Sequence, residues 1–468
     1  MINNFFLFQK MKTTPEFETY SLAHGEQTFQ QVKIVESGRE KEENLCQKYI
    51  EKGSITECVI NLCIISFGIG LLALPQKVNY VTLIMTPILI VLCGIVNYWT
   101  FTVLGDASRQ LKIYKYEDIV SALFNPCFSY FFIFVMGIGL FGVMVLFQVI
   151  LYKFLGGIIN EIFSYGYTNM EVFASESFWG EKKIRLLVCY LITILVLFPL
   201  CLIKTISQMR FASSFGVFSV FLIIIIVVIQ SPSFYFHNVV EGKQEINIFD
   251  FSKGFGPDLK FIQSISTLLF AYECHAGIFP VISSLSNPTR PRVQAVFRNA
   301  TSANVIAYII ITLAGYFSQP ENTPDLVLER EKISKNDYLM TIGLCLFSIT
   351  LSTKISASYN CFRALILNIM KYDPTNYPNR INFILTIVTL SSTTFVAAMF
   401  QNIADYISLI SSFYGLIIGV IMPGIIFIKT NNYSIFHIKN LLALIFILTL
   451  CSIGALTIFF TLKRIFEF

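Results

Sequence analysis

Charged residues are scarce in this chain. They make up 13% of its 468 residues, whereas soluble domains carry about 25%. Hydrophobic residues reach 55%, and the mean hydropathy is +0.66. This composition excludes a soluble globular protein and predicts a polytopic protein embedded in a lipid bilayer. Basic patches with interleaved aromatic residues are missing outside the apolar runs, so we expect no nucleic-acid partner.

Patterns typical of metal sites and of catalysis are missing as well. The chain has four histidines and eleven cysteines, and no Cys/His cluster has metal-ligand spacing. Nearly all the cysteines lie in or next to apolar runs, so no disulfide framework is predicted. No paired catalytic carboxylates or Ser/His/Asp arrangement stands out. We therefore expect no metal, no other cofactor and no enzymatic activity.

Long apolar runs dominate the rest of the sequence. Residues 1–53 are polar and predict a disordered cytosolic tail, and residues 54–461 predict a transmembrane domain. Most runs approach or exceed the ~20 residues that cross a bilayer. Residues 112–124, between the second and third runs, predict an interfacial helix. The eleven predicted spans are approximately 54–77, 81–104, 127–152, 183–203, 209–230, 258–284, 297–318, 338–370, 381–400, 403–428 and 438–461.

Basic residues in the short loops predict the orientation. Arg109, Lys204, Arg290, Lys371 and their neighbours fall on the side shared with the N-terminal tail, where acidic residues are few. Because positive loops stay in the cytosol, the N-terminus is predicted to be cytosolic. The sequence leaves open whether the membrane is the plasma membrane or a vacuolar or lysosomal one.

The first apolar run contains residues that disfavour a continuous helix. Residues 61–75 (NLCIISFGIGLLALP) place Gly68 and Gly70 at the centre and Pro75 five residues on. Glycine is a poor helix former and proline lacks an amide donor. In hydrocarbon, opened backbone costs several kcal/mol per unpaired group unless it lines a cavity or binds something. A binding site is therefore predicted here, and a packing or kink role for the glycines is the alternative. The candidate residues are Ser66, Phe67, Gly68, Ile69, Gly70 and Leu71.

The sixth run repeats this feature in the opposite direction. Residues 270–280 (FAYECHAGIFP) place polar residues, a glycine and a proline in mid-membrane. Two interrupted spans, five helices apart and opposite in direction, are typical of an inverted repeat. The sequence thus predicts an all-α polytopic protein of eleven transmembrane helices, with a five-plus-five inverted repeat, broken helices 1 and 6, and an additional eleventh helix.

The predicted half-helix ends suit a zwitterion. Amides of about residues 69–72 would form the positive end of a half-helix, which favours a carboxylate. Free carbonyls near Phe270 and Ala271 would favour an ammonium group. Together they predict a site for a small dipolar solute such as an α-amino acid, with Tyr272 and His275 as further substrate-binding candidates.

Three ionisable residues lie deep in the predicted spans. Glu273 is a candidate proton or ammonium acceptor, with a structural or loop role as the alternative. His275 titrates near neutral pH unless it only satisfies a local hydrogen bond. Lys354 could replace a coupling sodium ion at opened carbonyls and carry protons, or form a static ion pair with Glu273 or Asp405. Arg363 lies nearer the inner face and is predicted to snorkel to the interface.

Several motifs taken together resemble the amino acid/auxin permease family, within the amino acid–polyamine–organocation superfamily. They span roughly residues 54–461. They are residues 68–75 (GIGLLALP), 198–200 (FPL) with 202–204 (LIK) and 209–213 (MRFAS), 270–275 (FAYECH) with 279–280 (FP), and 403–409 (IADYISL).

The resemblance implies eleven helices with an inverted repeat, alternating access, and substrate held between spans one, three, six and eight. Members carry amino acids or auxin, driven by protons or sodium. Sodium-coupled members commonly have asparagine at the position of Ile64 and a hydroxyl close to Lys354, so both positions differ here. Glu273 is similar to the glutamate of proton-coupled members. We therefore expect an amino acid substrate with a proton rather than sodium as coupling ion. An amino acid sensor that signals through the tail is the rival hypothesis.

Overall fold

A computed structural model describes residues 53–163, 182–203, 210–242, 244–257, 259–330, 338–373, 377–399, 403–431 and 437–466. The chain divides into a short unit, Met1–Glu57, and a large unit, Cys58–Phe468. All contacts given below lie within the large unit. The predicted cytosolic tail, apart from its last residue, lies outside the described residues.

The described part of the chain is helical. Short π-helical or 3-10 segments interrupt or extend some of the helices. The α-helices, in chain order, are α1 (Ile55–Ser66), α2 (Ile69–Val81), α3 (Met85–Leu111), α4 (Tyr116–Leu123), α5 (Pro126–Phe163), α6 (Lys182–Ile192), α7 (Phe198–Leu202), α8 (Arg210–Tyr235), α9 (Lys260–Ala271), α10 (Ile278–Ser284), α11 (Arg290–Ser318), α12 (Tyr338–Ile369), α13 (Asn379–Met399), α14 (Ile403–Ile410), α15 (Met422–Thr430) and α16 (Ile438–Phe466).

The all-α polytopic fold predicted from the sequence is confirmed. Within the described residues, nine helical segments are long and apolar enough to cross a membrane, and the bent pair α1–α2 makes a tenth. The predicted fourth span coincides with a shorter apolar helix, Leu186–Leu202. Each of the eleven predicted spans thus has a helical counterpart, although length and apolarity alone support nine or ten crossings. The inverted relation between the two halves stays a prediction.

Helix ends differ from the predicted bounds where polar residues continue a helix. α11 begins at Arg290, seven residues before the predicted start, and a proline in its first turn suits a helix beginning. α3 begins at Met85 rather than at residue 81, since Thr82 adopts a positive φ of 91° at the end of α2. An apolar run identifies only the part of a helix that crosses the lipid, and a helix such as α11 extends beyond that part. The predicted interfacial segment contains α4, which buries Tyr116 and Ile119.

The second half of the first span lies at the centre of the bundle. α2 packs against α9 and α11, and α11 also packs along α3 and α8. Every residue of α2 except Tyr80 is buried. By contrast, α16 exposes large apolar side chains such as Leu448 and Phe459, as a lipid-facing helix would. The beginning of α2 and the end of α9 are therefore packed among other helices rather than exposed on the surface.

Candidate functional site

The first span is broken at Phe67 and Gly68, which we call the first break. α1 ends at Ser66, α2 begins at Ile69, and their axes differ by 60°. No side chain caps the N-terminus of α2, so its first-turn amides lack intrahelical partners. The sequence predicted an opening centred on Gly68 and Gly70, with helix amides from about residue 69. The structure opens at Phe67 and Gly68 and places Gly70 in the first turn of α2.

The sixth span is broken at Tyr272, Glu273 and Cys274, which we call the second break. α9 ends at Ala271, and a 3-10 turn at His275–Gly277 leads into α10. Local bonds hold this segment: the Glu273 amide donates to the Phe270 carbonyl at 2.9 Å, and the Gly277 amide to the Cys274 carbonyl at 2.8 Å. Both predicted interruptions therefore exist, and α9 does end next to Phe270.

The two breaks touch each other. A Cβ built on Gly70 would lie 2.5 Å from the Ala271 Cα and 2.9 Å from the Ala271 Cβ. Real Cβ atoms essentially never come so close, so only glycine permits this contact without a backbone shift. The beginning of α2 and the end of α9 are thus direct neighbours, as a shared binding site requires.

Tyr308 on α11 links the two breaks. Its hydroxyl donates to the Ala271 carbonyl at 2.6 Å, and the Ser66 carbonyl lies 3.3 Å away as a weaker acceptor that shares the same proton. Its ring packs 4.8 Å from the Tyr272 ring. The sequence alone does not single out Tyr308, because a tyrosine in an apolar run gives no local sign of its partners.

Lys354 on α12 reaches the first break. Its Nζ donates to the Phe67 carbonyl at 2.6 Å, and it lies 3.7 Å from a Cβ built on Gly68. Neither alternative ion pair is present among the described residues: the Asp405 carboxylate instead accepts a 2.5 Å hydrogen bond from Arg464. The ammonium group therefore lies at an opened carbonyl, the position considered for it from the sequence. Its coupling role stays a prediction.

The partly buried Glu273 carboxylate and the buried His275 imidazole lie close together at the second break. Glu273 Oε1 lies 3.9 Å from His275 Nδ1, too far for a hydrogen bond. Both atoms are buried and have no hydrogen-bond partner within the described residues. His275 Nε2 shares a 2.8 Å hydrogen bond with the Thr100 hydroxyl, and the imidazole packs 4.9 Å from the Phe101 ring. The imidazole thus faces α3 and its roles as substrate ligand or proton carrier stay predictions.

The tenth span adapts to the second break through π-helical segments. These segments, Ser411–Gly415 and Ile417–Ile421, lie between α14 and α15, and π-bulges occur frequently at functional sites. A Cβ on Gly415 would lie 2.9 Å from the Phe270 ring, and one on Gly419 would lie 3.2 Å from the His275 ring. The sequence alone does not connect this span with the second break, because its two glycines are equally compatible with ordinary helix packing.

The other substrate-binding candidates offer mainly backbone. The Ser66 hydroxyl donates to the Cys63 carbonyl at 3.1 Å, and the Tyr272 hydroxyl donates to the Ile90 carbonyl at 3.0 Å. The Phe67 ring packs edge-on against Phe221, 5.7 Å away. Ile69 and Leu71 are buried apolar side chains. Recognition of a polar solute at the breaks would therefore depend on main-chain groups.

The prediction for Arg363 is wrong. Its side chain is buried rather than extended to the interface. It donates to the carbonyls of Cys201 and Ile203 at 3.1 Å each and to the Asn382 side chain at 2.7 Å. Because the C-terminal carbonyls of α7 have no helical partners and carry the negative end of the dipole, they bind a guanidinium in place of water.

Comparison with known proteins places this arrangement in a family. The family model described as "Transmembrane amino acid transporter protein" matches residues 51–466, most of the chain. The chain belongs to this family. The resemblance found in the sequence motifs is confirmed.

Named relatives are distant but consistent. The "Putative sodium-coupled neutral amino acid transporter 11" of Danio rerio is 23% identical over 393 residues, which cover 83% of this chain and 82% of that protein. "Vacuolar amino acid transporter 6" of Saccharomyces cerevisiae is 24% identical over 58% of this chain and 56% of its own length. "Amino acid transporter AVT6B" of Arabidopsis thaliana is 25% identical over 59% and 58%. The match thus spans little more than half of the yeast and plant proteins.

A solved structure supports the fold. A crystal structure of the Eremococcus coleocola manganese transporter, bound to an aromatic bis-isothiourea compound, aligns with a TM-score of 0.56 at 10% identity. The alignment covers 91% of this chain and 90% of that chain. At this identity the likeness concerns the fold alone.

Proposed function

We propose that this protein is a secondary active transporter that moves amino acids across a membrane by alternating access. The observation that carries the proposal is the contact between the two breaks, where Gly70 packs on Ala271. Opened backbone in mid-membrane is costly unless it lines a cavity or binds a solute. Two such openings that lie against each other would form one site lined by main-chain groups from both spans.

The exposed backbone groups favour a zwitterionic substrate. The first-turn amides of α2, Ile69 to Leu71, form the positive end of a helix and suit a carboxylate. The C-terminal end of α9 carries the negative end of its helix dipole and favours an ammonium group, which would replace Tyr308 as the donor to the Ala271 carbonyl. The named relatives are all called amino acid transporters, which supports the same substrate class.

We propose a proton rather than sodium as the coupling ion. Unwound carbonyls commonly coordinate sodium in transporters with broken helices. Here the Phe67 carbonyl accepts from Lys354, and the Ser66 and Ala271 carbonyls accept from Tyr308. These donors take the place of a cation, while Glu273 is a buried titratable group in the second break. The name of the Danio rerio relative includes sodium coupling, so our proposal for this chain differs from that name in the coupling ion.

The orientation of the chain and the membrane that holds it can also be proposed and tested. The chain is a multi-pass integral membrane protein, and we propose that its N-terminus is cytosolic. The name of the yeast relative makes a vacuolar-type membrane the first one to test. Fluorescent fusion at either terminus, combined with protease protection, reports both the membrane and the orientation.

Uptake into proteoliposomes tests the function. Purified full-length protein is reconstituted and offered a panel of labelled amino acids in sodium-free buffer, with and without a pH gradient. We expect at least one amino acid to accumulate only when the gradient is present. In a parallel assay with a sodium gradient, accumulation that requires sodium whether or not a pH gradient is present would refute proton coupling. Binding of an amino acid with no uptake above empty liposomes would refute transport and support the rival sensor hypothesis.

A further inference from the structure

A polar cavity of about 370 Å³ lies where α2 ends and α9 begins. In the predicted orientation this is the face opposite the cytosol. α14, α16 and the segment after α11 complete its walls. The lining residues are Gln76, Lys77, Tyr80, Lys260, Gln263, Ser264, Asp325, Ala404 and Arg464.

The cavity is connected to the breaks by two helices. Lys77 lies seven residues after Gly70 along α2, and Ser264 lies seven residues before Ala271 along α9. Seven helical residues span about 10 Å. Because Gly70 and Ala271 touch, α2 and α9 run side by side from the breaks to the cavity. A solute in the cavity is therefore about two helical turns from the candidate site.

Two ammonium groups at this cavity lack a carboxylate partner. Lys77 is only 5% exposed, and its Nζ donates to the neutral Gln76 side chain at 2.7 Å. Lys260 Nζ lies over the Tyr80 ring, 5.0 Å from its centroid. Neither ammonium has a carboxylate within 4 Å in the described part of the chain. Asp325 interacts electrostatically with Lys77 but does not contact it. A bound anion would supply the direct charged contact that the buried ammonium lacks.

The remaining charges at the cavity are already engaged. Arg464 pairs with Asp405 at 2.5 Å and donates to Gln263 at 3.3 Å. Asp325 accepts a hydrogen bond from the Gln76 amide. The three cations and two carboxylates leave one net positive charge, contributed by the lysines. Asp325 uses one carboxylate oxygen in this bond and lines the same cavity.

We propose that this cavity binds the carboxylate of a small solute through Lys77 and Lys260. If the cavity holds the substrate before it reaches the breaks, this role rests on the proposed function. It would admit amino acids that are zwitterionic or acidic, and it would disfavour those with a net positive charge. The carboxylate could belong to the α-carbon or to a side chain, and the probes below separate these sources.

Thermal unfolding of the purified full-length protein in detergent tests the site without any transport. A ligand that binds the folded state raises the unfolding temperature in proportion to its occupancy. The probes are acetate, L-alanine, L-aspartate and L-lysine, each against choline chloride of equal ionic strength. We expect stabilisation by acetate and L-aspartate and none by L-lysine. Stabilisation by L-alanine equal to that by L-aspartate assigns the α-carboxylate, and a preference for L-aspartate assigns the side chain.

Charge-neutral variants decide whether the lysines are responsible. Lys77→Gln and Lys260→Gln should each weaken acetate binding by about tenfold, since each removes one charged hydrogen bond. Lys253→Gln is the matched control, because Lys253 is exposed on the same face and does not line the cavity. Lys260 is half-buried, so its variant provides a test even if Lys77→Gln fails to fold.

Two results would overturn the proposal. One is unchanged acetate affinity in the Lys260→Gln variant. The other is equal stabilisation of the wild type by choline chloride, which would make the site one for any small anion. Both results are independent of uptake, so a protein that binds acetate here but moves no amino acid would refute the proposed function and leave this site standing.

Discussion

The first and second breaks differ in what satisfies their opened backbone. At the first break, side chains from distant helices donate to the free carbonyls: Lys354 from α12 and Tyr308 from α11. At the second break, most bonds are local, such as that from the Glu273 amide to the Phe270 carbonyl. The first break therefore depends on the positions of two other helices, whereas the second depends on a distant helix mainly through the bond from Tyr308 to the Ala271 carbonyl.

The side chains show the opposite contrast. The first break carries only Phe67 and Gly68 and offers no titratable group of its own. The second carries Glu273, with His275 just beyond it, and both have buried atoms without hydrogen-bond partners in the described chain. We infer a division of labour in which the first break recognises a solute through its backbone and the second responds to protons. The following predictions test this comparison.

The largest effect is expected where the two breaks touch. Gly70→Leu should reduce substrate binding and uptake to background, because even a Cβ would lie 2.5 Å from the Ala271 Cα. Overpacking of this kind costs about 1–3 kcal/mol for one added group, or about fivefold to 150-fold in binding, and the larger leucine side chain adds to that cost. Binding of labelled substrate to purified protein measures the effect.

The matched control is an alanine pair. Gly70→Ala should already impair binding, whereas Gly137→Ala on α5 should not, since its Cβ would lie an ordinary 3.8 Å from Leu365. If substrate affinity survives Gly70→Leu, the contact between the breaks is not part of the site.

The next largest effect is expected at the donor to the first break. Lys354→Ala leaves the Phe67 carbonyl without its 2.6 Å donor, and an unsatisfied buried group costs about 1–3 kcal/mol. Uptake in sodium-free buffer should fall about tenfold or more. Sodium should restore part of it if the ammonium replaces a cation.

Uptake in matched sodium and choline buffers measures this effect. Lys429→Ala at the exposed end of α15 is the control for loss of a lysine. Full sodium-free activity of Lys354→Ala would show that the ammonium is not needed at the opened carbonyl.

Much of the fold followed from composition alone. Each apolar run became a helix, since hydrocarbon demands internally bonded backbone. The breaks were located to within two residues because Gly68, Gly70 and Pro75 weaken a helix locally. Pro75, however, remains inside α2, so the glycines mark the opening better than the proline does.

The partners of the opened backbone could not be predicted in the same way. Tyr308 and Arg363 act on carbonyls far away in sequence, and nothing near either residue indicates this. The π-helical segments of the tenth span have an ordinary apolar composition. Packing between residues far apart in sequence determines the roles of Tyr308 and Arg363 and the π-helical segments. A local sequence pattern carries information only about its own segment.

A smaller and more selective effect is expected at the second break. Glu273→Gln keeps the size of the side chain but can neither bind nor release a proton. Accumulation of substrate driven by a pH gradient should disappear, because the variant cannot carry a proton down that gradient. Exchange of internal for external substrate should persist, since the first break is unchanged.

Counterflow and gradient-driven uptake, measured at two pH values, separate these outcomes. Glu241→Gln, an exposed acid after α8, controls for charge. An unchanged pH dependence in Glu273→Gln would remove this residue from coupling and would break the contrast drawn between the two breaks.

The smallest effect is expected at the bridge between the breaks. Tyr308→Phe removes one hydroxyl that serves the Ala271 and Ser66 carbonyls and keeps the ring contact with Tyr272. A net loss of about 1 kcal/mol corresponds to about a fivefold fall in substrate affinity. Tyr235→Phe, on a partly exposed ring of α8, should leave affinity unchanged.

Because the Tyr308 hydroxyl joins both breaks, the loss in the double variant Tyr308→Phe/Lys354→Ala should differ from the sum of the single losses. Strict additivity would mean that the two donors act on independent sites.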